Sequence, residues 1–164
     1  MAKFITFFMH NEIIVGIGLG DINFGISREE LILKINEPDE IEELIYEHTN
    51  KKAELYHYDA LGMSLEFSEE DDWKLTSMSV TSEDYMLNGY HILGKSKEDV
   101  FDILKKIHIG RIEREEFLDE EDDEDFNAEL YVVKTKRLNF WFEDNTLIEV
   151  FWEPLLKNNK VIWP

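Results

Sequence analysis

The residues of this sequence best suited to chemistry are carboxylates, which occur in three dense groups. The longest group runs from residue 113 to residue 125, where ten of the thirteen residues are acidic. The second group is Glu69, Glu70, Asp71 and Asp72, followed directly by Trp73, and the third is Asp39, Glu40, Glu42 and Glu43. Carboxylates can hold cations, transfer protons or meet basic side chains, so these groups are the first candidates for a functional site.

The longest acidic group is interrupted by the apolar pair Phe117 and Leu118, and its use stays open between two interpretations. The cost of desolvating so many charges excludes a buried position. The group also lacks the turn glycine and the alternating ligands of a calcium loop. It is either a solvated loop that aids solubility or a binding segment whose apolar pair anchors a basic partner. The residues predicted to bind a partner are Glu69, Glu70, Asp71, Asp72, Trp73, Glu115, Glu116, Phe117, Asp119, Glu120, Glu121, Asp122, Asp123, Glu124 and Asp125.

Other residue types form no catalytic or metal-binding motif. The five histidines are scattered and lack the one-turn spacing of a zinc hydrolase. The glycine run at residues 16–20 has the wrong spacing for a phosphate-binding loop and indicates a bend or a close approach of strands. No serine lies in a nucleophile-elbow pattern. We expect no catalytic residue, no cofactor and no metal, although a cleft built from dispersed carboxylates remains an alternative.

The composition limits the partners and the compartment. The 37 acidic and 17 basic residues give a net charge of −20, which repels nucleic acid and anionic lipid and attracts cationic proteins. No stretch approaches the roughly 18 apolar residues that cross a bilayer, and the absence of cysteine is typical of a reducing compartment. We expect a cytoplasmic protein that binds neither nucleic acid nor membrane, and the sequence leaves its oligomeric state open.

An internal repeat organises the elements that must position these groups. Residues 25–31 (GISREEL) are echoed by residues 94–100 (GKSKEDV), and each copy has a glycine turn, a serine helix cap and a carboxylate three residues later. Residues 54–56 and 63–67 are echoed by residues 129–131 and 138–142. The interval between copies is longer for these strands than for the helices. The second copy therefore contains an insertion, and its acidic segment lies there.

Apolar spacing predicts the type of each element. A short first helix ends before Pro38, and a second helix places Val100, Phe101, Leu104 and Ile107 on one side. Alternation in residues 63–67 and 138–143 predicts strands that continue into meanders, and residues 4–9 predict a first strand. Trp141 and Trp152 are expected in the core because they lie in strand patterns, whereas Trp73 and Trp163 remain binding candidates.

The sequence thus predicts an α+β fold of two tandem helix-plus-antiparallel-meander repeats, with the helices packed on antiparallel sheet. Residues 1–164 are expected to form a single compact domain because the chain has the length of one. Repeat 1 covers about residues 15–82 and repeat 2 about residues 88–152, and residues 153–164 form a C-terminal extension.

A glycine turn, a serine-capped helix and an antiparallel meander, occurring twice, resemble the tandem units of the β-lactamase inhibitor protein and the single unit of outer-membrane assembly lipoproteins. The chain also resembles small acidic immunity proteins of bacterial polymorphic toxin systems of the contact-dependent inhibition type. It departs from the first two classes because it has neither their disulfides nor a lipidated cysteine. Those two activities are therefore not implied.

The resemblance to immunity proteins implies that the chain is not an enzyme and that it binds and neutralises a cognate toxin domain. Three acidic groups next to apolar residues suit a basic cleft, such as the one in which a nuclease holds phosphates. Two alternatives stay open from the residues alone. One is a protein-interaction module without a toxin, and the other is a small enzyme with a dispersed carboxylate site.

Overall fold

The computed structural model describes residues 11–116 and 127–164, so the strand predicted at residues 4–9 lies outside the described residues. The described part contains two α-helices, α1 (Arg28–Ile35) and α2 (Lys97–Lys106). Its strands are β1 (Glu12–Ile14), β2 (Gly18–Leu19), β3 (Ile22–Asn23), β4 (Glu40–Tyr46), β5 (Lys51–Tyr58), β6 (Met63–Ser68), β7 (Lys74–Val80), β8 (Met86–Leu87), β9 (Tyr90–His91), β10 (Glu113–Glu115), β11 (Ala128–Val133), β12 (Leu138–Glu143), β13 (Thr146–Trp152), β14 (Leu156–Lys157) and β15 (Lys160–Val161).

Eight strands form one large antiparallel sheet in the order β10-β11-β12-β13-β7-β6-β5-β4. We call α1 with β4 to β7 the first half and α2 with β10 to β13 the second half. The halves meet where β7 pairs with β13, from Val80 opposite Val150 to Met78 opposite Trp152. Helices packed on antiparallel sheet confirm the predicted α+β class.

Both helices begin at the serines that the sequence predicts as caps. The Ser27 hydroxyl accepts a hydrogen bond from the Glu30 amide at 3.1 Å, and the Ser96 hydroxyl accepts one from the Asp99 amide at 3.2 Å. These bonds satisfy an amide that the first helical turn would leave without a partner. The first helix ends at Ile35, ahead of Pro38, as predicted.

The first residue of each helix forms an ion pair with the second strand of its own half. Arg28 contacts Glu54 on β5, and the Lys97 ammonium lies 3.0 Å from Glu129 on β11. Both carboxylates are largely buried, with side-chain exposures of 16% and 15%, so each needs this cation. These contacts fix where each helix starts on the sheet.

One hydrophobic cluster lies between the helices and the large sheet, and it contains residues of both halves. Leu31 of α1 and Val100 and Leu104 of α2 are fully buried in it. From the sheet come Tyr56, Tyr58, Met63, Leu65, Phe67, Leu75, Met78, Val80, Val133, Leu138, Phe140, Phe142, Leu147, Val150 and Trp152. A core shared in this way couples the stability of the two halves.

A small sheet in the order β3-β2-β1-β8-β9 closes one side of this cluster. The buried Trp152 links the two sheets, because its indole N–H donates to the carbonyl of Gly18 at 3.2 Å. A Cβ at Gly18 would lie 2.0 Å from the Ile22 carbonyl oxygen, so the glycine run serves the close strand approach that the sequence indicates. Across residues 11–116 and 127–164, no helix has both the length and the apolar character needed to cross a bilayer.

Candidate functional site

The large sheet has a helix-bearing face and an opposite face, which we call the open face. Cross-strand partners point to the same side of a sheet, so the register assigns each residue to a face. The open-face residues are Glu40, Glu42, Leu44, Tyr46, Lys51, Ala53, Leu55, His57, Ser64, Glu66, Ser68, Lys74, Ser77, Ser79, Glu113, Glu115, Ala128, Leu130, Val132, Asn139, Trp141, Glu143, Thr146, Glu149 and Phe151.

In the second half, the centre of the open face is apolar. Trp141, Phe151 and Leu130 are half-buried there, and Val132 is 7% exposed. The Trp141 indole N–H donates to the Glu143 carboxylate at 2.9 Å. We call these four residues the aromatic patch. The expectation that Trp141 lies in the core is wrong, because its neighbours Phe140 and Phe142 occupy the helix-bearing side, whereas Trp152 is fully buried as expected.

Carboxylates surround the aromatic patch. Glu143, Glu149, Glu113 and Glu115 lie on the same face. Lys134 lies 3.0 Å from Glu113 and 3.6 Å from Glu115, and Arg111 lies 3.1 Å from Glu113. The hydrogen bond from Lys134 holds the pKa of Glu113 below its usual value, so this carboxylate stays ionised. An apolar centre with a charged rim is the common anatomy of a protein-binding surface.

Two adjoining grooves run along the open face. The first groove, of about 230 Å³, lies between the first half and the C-terminal residues, and its lining includes Tyr46, Glu66, Asp71 and Trp163. The second groove, of about 410 Å³, lies in the second half, and its lining includes Glu115, Glu116, Leu130 and Asn139. Both grooves share Arg137 and Glu153. These two residues form an ion pair, and Arg137 also donates to the Pro154 carbonyl at 2.9 Å.

The first groove holds carboxylates whose ionised form is disfavoured. Burial raises the pKa of Glu66, and the nearby Glu153 raises it further, although the Tyr46 hydroxyl, which donates to Glu66, lowers it. Burial, followed by repulsion from Glu70, raises the pKa of Asp71. Cationic groups that enter this groove would relieve the repulsion.

The second acidic group of the sequence lies in the turn between β6 and β7, as its hairpin position predicts. Glu69 accepts a hydrogen bond from the Lys52 amide at 2.8 Å, and Asp71 lines the first groove. Trp73 packs against the core, and the Arg28 guanidinium lies 4.4 Å from the centroid of its ring. The described contacts of Trp73 are those of a structural residue, because both its packing and its cation belong to this chain.

The longest acidic group is only partly described. Glu115 ends β10 and Glu116 follows it, and both line the second groove. The predicted residues Phe117, Asp119, Glu120, Glu121, Asp122, Asp123, Glu124 and Asp125 lie outside the described residues. Four strand spacings, roughly 19 Å, separate β10 from β7, so the two acidic groups do not form one cluster. They border adjoining grooves of the same face instead.

The sequence does not single out the open-face residues Tyr46, Glu66 and Phe151 or the groove residues Arg137 and Glu153, and it predicts a core position for Trp141. The alternation of residues 138–143 contained the signal for Trp141, since every second position of a one-sided strand must face away from the core. Trp163, a binding candidate in the sequence, packs beside Gly25, where an added Cβ would lie 3.1 Å from its ring. The Lys74 ammonium lies 5.0 Å from the centroid of the same ring. Among the described residues, no group of three or more His, Cys, Asp and Glu side chains is arranged to hold a metal.

Comparisons with known proteins do not assign a family. No protein-family model matches the chain, and no curated protein is significantly similar to it. A solved structure of an extracellular protein containing an SCP domain, from Bacillus anthracis str. Ames, aligns with a TM-score of 0.42 and 20% identity. The alignment covers 79% of this chain but 43% of that protein, so the chain spans less than half its length. Similarity at this level supports no conclusion on function.

Proposed function

We propose that the two halves are tandem repeats of one helix-plus-meander unit. Corresponding features support a duplication: a serine-capped helix in each half and a basic first helical residue that binds a glutamate on the second strand. A single 3₁₀ turn follows that strand in both halves and ends in a left-handed residue, Gly62 or Arg137. A register shift follows at Glu66 in one half and at Trp141 in the other.

The repeats differ on the open face, and this difference supports a location for the function. Along the strands that correspond, the first half has Ser64, Glu66 and Ser79. The second half has Asn139, Trp141 and Phe151 at these positions. Trp141 and Phe151 are half-buried, so each leaves part of its ring on the surface, and a partner that covered this part would gain apolar contact.

We infer that the chain is an inhibitor that binds a basic protein domain, in the manner of a cytoplasmic immunity protein that neutralises a cognate bacterial toxin. The observation that supports this function best is the aromatic patch with its carboxylate rim. Tryptophan in a well-packed apolar centre is the usual source of binding energy, and rim charges select a partner of opposite sign. A net charge of −20 favours a basic partner and disfavours nucleic acid.

A basic nuclease domain fits this surface because its phosphate-binding cleft carries the positive potential that the rim would meet. Long-range attraction would speed association and weaken as salt screens charges beyond about 8 Å. The acidic residues from Asp119 to Asp125 would add to this attraction. Replacing those seven residues with asparagine or serine is therefore expected to lower the association rate and flatten its salt dependence in stopped-flow measurements.

A small enzyme is the second candidate, favoured by one observation. Glu66 and Asp71 line the same groove and both have raised pKa values, as an acid or base of a catalytic site often does. Changing Glu66→Gln together with Asp71→Asn separates the candidates. An inhibitor acting through the aromatic patch keeps its neutralising activity in this variant, whereas a carboxylate enzyme loses its function.

The proposed inhibitor function predicts that a large protein with a toxic C-terminal domain is encoded next to this chain, and it is tested by expressing the chain with that domain. The chain should restore growth of cells that produce this domain and should co-purify with it. The variant Trp141→Ala with Phe151→Ala should lose protection. The control Tyr90→Ala, an aromatic residue 40% exposed on the small sheet, should keep it. A neighbouring domain that is harmless, or protection that survives the double substitution, would refute the proposal.

A further inference from the structure

The outer edge of the first half is an unusually long and open strand. β4 has seven residues, six of them exposed, and it pairs with β5 through seven consecutive positions without a register shift. Residues 11–116 and 127–164 contain no strand on its other side. Its outward N–H and C=O groups therefore form a straight template for another strand.

Most of the devices that normally protect such an edge are missing from β4. Natural edge strands are commonly short, bulged or interrupted by lysine or proline, and β4 has none of these features. Its charged residues are three glutamates, which would repel an acidic strand but attract a basic one. The opposite edge differs. β10 has three residues, and Lys134 reaches across to Glu113 and Glu115 beside it. Within residues 11–116 and 127–164, one edge of the large sheet is protected and the other has no strand beside it.

The side chains of β4 define what would pair with it. On the helix-bearing side, Ile41 and Ile45 are 46% and 63% exposed. On the open face, Glu40 and Glu42 project beside Leu44. The strand contains three glutamates and no basic residue. A matching strand would place apolar side chains on the isoleucines and lysine or arginine opposite Glu40 and Glu42, whereas Glu43 lies between the isoleucines.

We propose that β4 is a strand-addition site for an extended segment of another protein with alternating basic and apolar side chains. Backbone pairing would supply affinity, and the alternating side chains would supply specificity. The site lies five strand spacings, roughly 24 Å, from β12 and its Trp141, so it is separate from the aromatic patch. It goes beyond the proposed inhibitor function and does not depend on it.

A second copy of this chain is the less favourable occupant because of charge. Antiparallel pairing of two β4 strands over their full length places Glu43 opposite its own copy, and each strand brings three glutamates without a cation. Like charges that face each other across strands are destabilising. A basic segment gains the same backbone pairing and adds favourable charge contacts.

The test adds synthetic heptapeptides to the full ¹⁵N-labelled chain. Binding is measured by the changes in NMR amide shifts and in amide hydrogen exchange. A peptide of alternating lysine and valine should protect alternate amides of β4. A peptide of alternating glutamate and valine should bind about tenfold more weakly, since several cross-strand charge contacts change sign. The basic peptide methylated on every backbone nitrogen should not bind, because it keeps its charges but cannot pair as a strand.

A charge-reversal variant sharpens the test. Glu40→Lys with Glu42→Lys changes both open-face charges of β4 and should reverse the preference, so that the acidic peptide binds better. The control Glu98→Lys with Asp102→Lys changes the net charge equally on the exposed side of α2 and should keep the original preference. Equal binding of both peptides, undiminished binding of the methylated peptide, or outer β4 amides already protected in the free protein would overturn the proposal. A toxin domain that fails to bind, with the peptide results as expected, would refute only the inhibitor function.

Discussion

The two halves of the large sheet agree on one face and differ on the other. On the helix-bearing face, corresponding positions are apolar in both halves: Met63 and Leu138, Leu65 and Phe140, Phe67 and Phe142, Leu75 and Leu147, Met78 and Val150, Val80 and Trp152. On the open face, Glu66 in one half stands where Trp141 stands in the other. Packing demands of the shared core explain the agreement. The core does not require the open-face difference, so that difference points to function.

The outer edge strands of the two halves also differ, and here the first half has the more exposed surface. The second half has the aromatic patch and a short edge strand tied by Lys134, whereas the first half has a polar open face and the long exposed edge of β4. Each half therefore offers one candidate binding surface. The β4 edge could bind a partner by backbone pairing, and the aromatic patch could bind one by burying its side chains.

The largest expected effect tests whether the halves share one core. Leu65 and Phe140 occupy corresponding positions and are both fully buried, and each is replaced by alanine. We expect losses of about 2 to 5 kcal/mol for the leucine and about 3 to 5 kcal/mol for the phenylalanine in the free energy of unfolding. Urea denaturation should show one transition in each variant. Amide exchange that releases the strands of one half while the other half stays protected would contradict a common core.

The ion pairs at the helix starts allow the stability of the two halves to be compared directly. Arg28→Ala and Lys97→Ala should each lower the free energy of unfolding by about 1 kcal/mol, reduced from the value of a buried pair because the cations are about 30% exposed. Arg28 also covers Trp73, so its variant should lose somewhat more. Thermal denaturation at neutral pH measures both. A cost for one variant alone would mean that the pairs are not equivalent.

The Lys97 pair should also depend on pH. The Tyr131 hydroxyl and then Lys97 hold the pKa of Glu129 below its ordinary value of 4.5. Because the pKa of Glu129 is lower in the folded than in the unfolded state, its ionisation stabilises the fold at pH values above the unfolded pKa. This contribution is lost as the pH falls through the folded pKa. The difference between wild type and Lys97→Ala should therefore be full at pH 7 and shrink below about pH 4.5. A difference that is constant with pH would contradict the role of Glu129.

The smallest expected effect concerns Glu66, the first-half counterpart of Trp141. Burial raises the pKa of Glu66 above the ordinary value of 4.5. Ionising this carboxyl in the folded protein therefore costs stability, and the cost is complete at pH values above the folded pKa. Glu66→Gln should stabilise the chain at pH 7 by less than about 1 kcal/mol, and the gain should vanish below pH 4.5. Urea midpoints across this range measure it, with Glu98→Gln on the exposed side of α2 as the control. A destabilised variant at neutral pH would show that the Tyr46 contact outweighs burial.

Local signals explain what the sequence predicted well. The serine caps Ser27 and Ser96 are short-range features, and so is the alternation in residues 63–67 and 138–143, which is why both helices and the central strands were anticipated. The glycine run was interpreted correctly for the same reason, since Gly18 must avoid the Ile22 carbonyl.

Other features depend on tertiary structure and were missed. Strand β4 was read only as an acidic group, because glutamate is uncommon in strands and three of its seven residues are glutamate. The strand pattern around Trp141 predicts a core position, and this prediction is wrong because membership of a strand does not by itself show which face a residue occupies. The first groove joins Tyr46 of the first half with Arg137 and Trp163. These residues are far apart in the sequence, so no local pattern predicts the groove.

Calorimetric titration of the toxin domain that the proposed function predicts, into two variants at corresponding positions, tests the central claim most directly. Trp141→Ala should weaken binding by about 2 kcal/mol, or about 30-fold, because it removes the proposed anchor of the aromatic patch. Glu66→Ala, at the same place in the first half, should change the dissociation constant less than about threefold. Equal losses in the two variants, or a loss confined to Glu66→Ala, would contradict the assignment of binding to the open face of the second half.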